Sequence, residues 1–265
     1  MQPSDKQHRD RLKAAVLKAL QPLDGVLAAW ECGSVAFDLE DTYSDIDVSV
    51  LLDAQCAEDT VYAAVSNGLE TVSPVEATHA EPPGRYFKLR DGGDYGLVDV
   101  CLYRVPDLPE RLDRARHGDI VPLFDKGDWL QPDASNAAQR HQDIAARLQE
   151  HRTWFVISQS FVRKAIARGR HVESLAAYWG YTLKPLVELL RMQHCPQRWD
   201  FGMRYLERDL PEAAYTRLCG LLFTGKFDDL AECHGAAVAW AEQLIDELER
   251  LSEGGAESRQ HRDQR

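Results

Sequence analysis

The sequence predicts an α+β chain in two parts: a mixed β-sheet domain over residues 1–135, then an antiparallel α-helical bundle over residues 136–252. Three observations carry the prediction. Short apolar runs broken by turn-formers crowd the first 105 residues, a polar stretch around Pro132 interrupts the pattern, and helical spacing dominates beyond it. A chain of 265 residues with 44% hydrophobic content can bury one large core or two modest ones.

Leu12, Ala15, Val16 and Leu20 recur at helical spacing ahead of Pro22, which predicts a leading helix from about Arg9. "GVLAAWECGS" is an apolar run ended by Gly33, a buried strand entering a turn, and "DIDVSVLLD" is a second strand. Val61, Ala64, Val65 and Leu69 share one face of a helix over 57–69. "RYFKLRDGGDYGLVDVCLYRV" holds two β-rich runs around Asp91-Gly92-Gly93-Asp94, a hairpin signal. Between Pro106 and Gln139 the sequence predicts a short charged helix and an edge strand in "DIVPLFDKGDWL".

In the second half, Ile144, Leu148, Phe155, Val162 and Ile166 mark one long helix, and a second runs from Val172 to Met192. A third includes Leu218 to Phe223, and a fourth spans Ala231 to Leu251. "TWFVISQSF" reads as helix core. Residues 253–265, "EGGAESRQHRDQR", are expected to form a disordered tail.

The formal charge is −12 with a pI near 5.2, which repels a phosphate backbone and speaks against long nucleic acids as partners. A cationic small molecule suits it better. Six cysteines without a CxxC pair point to a reducing, cytoplasmic setting and to no structural zinc. His194 beside Cys195 does not alter that, because adjacent side chains rarely converge on one ion. The polar N-terminus is not expected to be a signal peptide, and no apolar run approaches the roughly 18 residues of a membrane span.

The chemistry concentrates at Asp45-Ile46-Asp47. Residues i and i+2 of a strand share a face, so Asp45, Asp47 and Ser49 project together while Ile46, Val48 and Val50 point the other way. Like charges so close call for a cation between them. Asp99, in "GLVDVCLY", is a second acid in an apolar strand, costly unless paired or metal-bound. If its strand lies beside the first, three carboxylates converge, and an all-oxygen set of that kind suits magnesium with substrate phosphates completing the shell. Gly33 lets the backbone approach a ligand closely. Turn amides and the Ser34 hydroxyl can then hold phosphate oxygens.

Gly33-Ser34, ten residues, then Asp45-Ile46-Asp47 resembles the GSx10DxD signature of the nucleotidyltransferase superfamily, in the branch of minimal nucleotidyltransferases and aminoglycoside adenylyltransferases. "LVDVCLY" resembles the strand that carries that family's third carboxylate. The resemblance covers about residues 25–105, and the helical half is similar in layout to the bundles of antibiotic-modifying members. It implies a nucleotidyltransferase-type sheet domain, catalytic over 1–135, and a bundle that closes over nucleotide or substrate. It further implies transfer of a nucleoside monophosphate, AMP foremost, from ATP or another nucleoside triphosphate to a hydroxyl, with pyrophosphate leaving. Asp45 and Asp47 would bind two Mg2+ ions, Asp99 would complete the catalytic metal's shell, and Gly33 and Ser34 would hold the β- and γ-phosphates.

Glu76 falls in the interval where some members carry an extra general base, although a surface acid is the simpler reading. Glu40 and Asp41 read as solvated loop acids. Arg85, Lys88, Lys164 and Lys184 are candidate partners for triphosphate charge, with Lys184, ahead of Pro185, the preferred one. "CPQRWDFGMRYLERDLP" sets Trp199, Phe201 and Tyr205 among arginines and reads first as an interhelix connection, its arginines paired to Asp200, Glu207 and Asp209.

These readings converge on an enzyme that nucleotidylates a small, aminoglycoside-like polyol amine. An alternative is a protein-modifying, antitoxin-type nucleotidyltransferase, against which stands the absence of an Arg-x4-6-His motif in the bundle. A nucleotide-binding module without catalysis would not need all three acids. Transfer to RNA lacks a basic stripe.

Overall fold

The protein is described by a computed structural model over residues 6–91, 96–131, 137–222 and 229–260, with side chains to 251 in the last segment. The chain divides into two compact units, Met1–Asn136 and Ala137–Arg265.

The first unit is built on one mixed sheet. Its strands are β1 (Val26–Glu31), β2 (Ile46–Leu52), β3 (Val75–Glu81), β4 (Gly84–Leu89), β5 (Leu97–Arg104) and β6 (Val121–Asp125), in the order β3-β4-β5-β2-β1-β6. β2 and β5 are parallel, and the other neighbours pair antiparallel.

One face of the sheet is sealed by α1 (Lys6–Leu20) and α2 (Glu58–Glu70). Leu12, Val16 and Leu20 of α1 and Val61, Val65 and Leu69 of α2 pack with Ile46, Val48, Val50, Val98, Val100 and Phe87. Strand alternation sends the intervening residues to the other face. There Trp30, Leu51 and Tyr103 meet Leu108 of α3 (Leu108–Arg111), Leu112 and Leu130 in a smaller cluster. A four-residue helix α4 (Arg114–His117) follows, and β6 is an edge strand as the sequence predicts.

Two differences from the sequence reading stand out. β3 is an additional strand, at the opposite edge, whose residues after Val75 are all exposed, so its sequence carries no apolar alternation to betray it. Of the expected hairpin turn, Gly92, Gly93 and Asp94 lie outside the described residues.

The second unit is helical. It contains α5 (Ala137–Ala167), α6 (His171–Tyr178), α7 (Lys184–His194), α8 (Leu206–Asp209), α9 (Glu212–Leu222) and α10 (Asp229–Gln260). Phe155, Val162, Leu183, Leu186, Leu190, Leu218 and Leu244 lie within its single core. The helix predicted over Val172–Met192 contains one wide turn, the π-helical Trp179–Leu183. Pro185 explains it: proline has no N–H to give and its ring crowds the carbonyl four residues back, that of Tyr181. That carbonyl instead accepts from Gln159 Nε2 at 2.8 Å. Gln159 Oε1 in turn receives the Thr182 hydroxyl at 2.7 Å and lies 2.9 Å from His234 Nε2.

α5 therefore departs from the plain core expected of "TWFVISQSF". Ser158 and Gln159 point inward, whereas Trp154, Ile157 and Phe161 are 45%, 54% and 45% exposed, an inversion of the usual apolar-in pattern. Phe223 and Pro132 lie outside the described residues, and helical backbone in α10 continues to Gln260, through part of the expected tail. The backbone there is helical in spite of Gly254 and Gly255, because a helix already nucleated by its packed turns can propagate.

Two arginines of the interhelix connection, Arg198 and Arg208, pair with Asp209. Asp209 is fully buried and receives Arg191 at 2.7 Å, Arg198 at 2.6 Å and Arg208 at 3.2 Å. Arg191, itself fully buried, also donates to the carbonyls of Gly202 at 2.8 Å, Arg198 at 3.3 Å and Arg204. A buried guanidinium is tolerable only when its donors are satisfied in this way.

Candidate active site

β2 and β5 run side by side in parallel register with Asp47 directly opposite Asp99. Paired residues on neighbouring strands project from the same face, about 5 Å apart at the backbone. Along that face β2 reads Asp47, Ser49, Leu51, and β5 reads Asp99, Cys101, Tyr103. Both strands thus change from acid to small polar or thiol to large apolar in step. Leu51 and Tyr103 belong to the apolar cluster under α3, so the two half-buried carboxylates occupy the end of the face beyond it.

Each carboxylate rests on a glycine. Gly33 has φ +67°, and a Cβ built on it would lie 1.8 Å from Asp47 Oδ2. A Cβ on Gly84, across from Cys101, would lie 2.9 Å from Asp99 Oδ1. The turn at Gly33 is held to the strand by the Cys32 N–H, which donates to the Asp47 carbonyl at 3.1 Å. Ser34 then opens a short 3-10 turn, Val35–Phe37. Its hydroxyl oxygen is buried and has no hydrogen-bond partner among the described residues, a cost that a bound acceptor would remove.

Two thiols report the local field. Burial and then the Asp47 carboxylate raise Cys32 above the ordinary thiol range, and burial and then Asp99 push Cys101 up to about 11. Both stay neutral. Ser49 donates to Cys32 Sγ at 3.3 Å, and Cys101 Sγ lies 3.9 Å from each Asp99 oxygen. The patch therefore concentrates negative charge without adding thiolate.

Asp45 stands immediately before the first paired residue of β2 and is half-buried. Among the described residues no three His, Cys, Asp or Glu side chains are gathered as a ready metal cluster. Pairing brings Asp47 and Asp99 together, and Asp45 lies outside the ladder that fixes them. Glu76 is exposed at a bulge in β3, and the row through Asp99 runs instead to Tyr86 on β4 and His79 on β3. Tyr86 is the neighbour that composition alone could not nominate, since only the register identifies it.

The candidate cations separate. Arg85 faces the helices, 4.2 Å from the centre of the Tyr62 ring and 3.6 Å from Asp59. Lys88 alternates with it on the carboxylate face, paired with Leu97 two residues from Asp99. Lys164 and Lys184 are exposed, on α5 and at the start of α7. Glu40 and Asp41 are not free loop acids. Glu40 pairs with Lys13 at 3.0 Å and Arg9 at 3.7 Å, while the Asp41 carboxylate accepts from Tyr43 N at 2.8 Å and Ser44 Oγ at 3.1 Å.

The helical unit carries one further feature that the sequence did not single out. An open surface depression of about 530 Å³ is lined by Phe161, Glu173, Ala176, Ala177, Gly180 and Tyr181. The rings of Trp154, Phe161 and Tyr181 lie 5.8–6.5 Å apart beside it. Its carboxylate, Glu173, is 2.9 Å from Arg170.

No family model and no curated protein matches the sequence. Solved structures do. A Bacillus subtilis aminoglycoside 6-adenyltransferase is 11% identical over 94% of this chain and 91% of its own, with a TM-score of 0.34. The spectinomycin adenyltransferase AAD(9) from Enterococcus faecialis is 10% identical over 92% and 98%, at 0.38. Terminal uridylyl transferase 4 from Trypanosoma brucei with bound GTP is 17% identical over 79% and 58%, at 0.30. At TM-scores below 0.5 the overlap is loose, and the functional reading rests on the chain's own residues. No helix among the described residues is long and apolar enough to cross a membrane.

Proposed function

We propose that the protein is a magnesium-dependent nucleotidyltransferase that moves a nucleoside monophosphate, AMP foremost, from a nucleoside triphosphate to a hydroxyl of a small cationic molecule. The observation that carries this is the side-by-side pair Asp47 and Asp99 with the Gly33-Ser34 turn packed against Asp47. A strand end that merely met solvent would need neither a glycine under each carboxylate nor a buried unpaired hydroxyl beside them.

The residues fit two magnesium ions in donor chemistry, being oxygen ligands only. Bound there, the metal would supply Lewis acidity for the triphosphate and lower the pKa of the acceptor hydroxyl. Asp45, Asp47 and Asp99 are the proposed ligands, and Asp99 is proposed also to take the acceptor's proton. Gly33 brings backbone close to the β- and γ-phosphates, and the Ser34 hydroxyl donates to one of their oxygens. Lys184, exposed at the head of α7, and Lys88, on the carboxylate face, are proposed to offset phosphate charge that magnesium leaves unneutralised. The net charge of −12 favours an acceptor that carries several amines beside its hydroxyls. This is the chemistry of an aminoglycoside-like polyol amine.

The test is to incubate the purified chain with Mg2+ and each α-labelled nucleoside triphosphate against a panel of aminoglycosides, then against a cell extract. Label on a small cationic acceptor, with pyrophosphate released and both lost in Asp47→Asn, is the expected result. Label on a protein band would overturn the choice of acceptor. Absence of turnover and of magnesium-dependent nucleotide binding would overturn the whole reading.

A further inference from the structure

Asp47 and Asp99 are held by sheet pairing, but Asp45 precedes the ladder and needs another anchor. The anchor comes from α1. Arg9 is 7% exposed, and its Nη1 donates to the carbonyl of Asp41 and, at 3.2 Å, to that of Ser44. The Ser44 carbonyl belongs to the same planar peptide as the nitrogen and Cα of Asp45, so a bond to that oxygen fixes the plane from which the Asp45 side chain departs. The segment 41–44 is closed on itself: Ser44 Oγ accepts from Asp41 N at 2.9 Å, and the Asp41 carboxylate accepts from Tyr43 N. It is therefore presented to Arg9 as one rigid turn. Lys13, one helical turn along, strengthens the clasp by bridging Glu40 at 3.0 Å and Glu31, the last residue of β1, at 2.6 Å.

We propose that Arg9 is a positioning residue for Asp45, acting through the Ser44–Asp45 peptide rather than by touching substrate. The proposal rests on the reading of Asp45 as a ligand of a divalent cation. Burying a guanidinium is expensive, and a loop that only had to be tidy could be closed by its own Asp41 and Ser44 side chains. Arg9 directs Nη1 to two backbone carbonyls leading into the acid that lacks ladder support, while its Nη2 lies 3.7 Å from Glu40 and its buried Nε has no partner among the described residues.

The test titrates Mn2+ into the full chain, following free Mn2+ by its paramagnetic resonance signal, for wild type, Arg9→Met, Asp45→Asn and the double variant. Loss of a group that orients a metal ligand typically weakens affinity on the order of 10–100-fold. That loss is expected for Arg9→Met in the wild-type background, with no further loss when the same change is made in Asp45→Asn. The non-additivity is the deciding readout, because a purely structural role would weaken both backgrounds alike. Equal loss in both, or none in either, overturns the proposal. Should Arg9→Met not fold, Arg9→Lys, which keeps the charge but a single donor centre, is read through the same cycle. A wild-type chain that binds Mn2+ no better than Asp47→Asn would sink the nucleotidyltransferase reading and this proposal with it. Tight wild-type binding untouched by Arg9 would sink this proposal alone.

Discussion

Replacing Gly33 by alanine tests the site at its tightest contact. Two penalties are separable. The first is conformational: at φ +67° an L-residue with a Cβ pays about 1–2 kcal/mol. The second is a collision, since the new methyl would sit 1.8 Å from Asp47 Oδ2, and real contacts of this kind essentially never fall below 3.0 Å. The carboxylate must retreat by about 1.2 Å, or the turn must open by as much. A displacement of roughly 1 Å of a group engaged in catalysis costs on the order of 100-fold in rate. Gly169 supplies the control, because it has nearly the same φ, +66°, yet an added Cβ there meets nothing within 4 Å. Gly169→Ala should therefore show the conformational cost alone, about 1 kcal/mol in denaturant unfolding, with unchanged transfer. Gly33→Ala should lose about 100-fold or more in pyrophosphate release while remaining folded by circular dichroism. Wild-type rates for a folded Gly33→Ala would refute the claim that Asp47 must lie where the structure puts it.

Asp47 and Asp99 project from the same face of paired strands, so Asp47→Asn should abolish any stabilisation by Mg2+ in thermal melts; stabilisation by Mg2+ that survives the substitution would count against Asp47 as a ligand. Burial, and secondarily the charge of Arg163, lowers His234 to about 4, so the unfolded chain takes up a proton near pH 6.5 that the native chain refuses until about pH 4. Stability should fall across that window by on the order of 3 kcal/mol, and His234→Gln should flatten the fall in a pH series of melts. Asp209→Ala leaves Arg191 buried without its carboxylate and should cost roughly 3–5 kcal/mol by denaturant titration of the chain; a loss under 1 kcal/mol would mean that backbone carbonyls alone satisfy Arg191.

What could be read in the sequence was what period and punctuation encode. β1, β2, β4 and β5 announce themselves through buried apolar residues, and the long helices through their spacing. β3 does not, because an exposed edge strand buries nothing and so leaves no alternation in "VEATHAE". Asp45, Asp47 and Asp99 were visible as unusual acids in apolar strands, but that Asp99 stands opposite Asp47 is a matter of register between parallel strands, joined through α2, β3 and β4, and no local pattern fixes it. Arg9 looks like any surface cation of a leading helix until the loop it holds is in place. In "TWFVISQSF" the apolar content suggested core, yet Trp154 and Phe161 turn outward while Phe155 is buried, and the inner positions include Gln159, which donates to the carbonyl that Pro185 displaces. Gln159 thus satisfies a carbonyl that the proline at position 185 leaves open, a link that only the packed helices make visible.

The arrangement of the acids also argues against a solvated strand end by its symmetry. Two neighbouring strands grade from carboxylate to large apolar side chain at the same rate, so one end of the face is closed by Leu51, Tyr103 and Trp30 while the other keeps its charge. Chance acids at strand termini would have no reason to match in register or to lie each against a glycine. Each feature singly has an ordinary explanation; a fully solvated acid needs none of them. Together they describe a floor that lets two carboxylates converge from one side, with the Gly33-Ser34 turn closing the other. A divalent cation held by Asp47 and Asp99, as proposed, would offset the mutual repulsion of two carboxylates on one face.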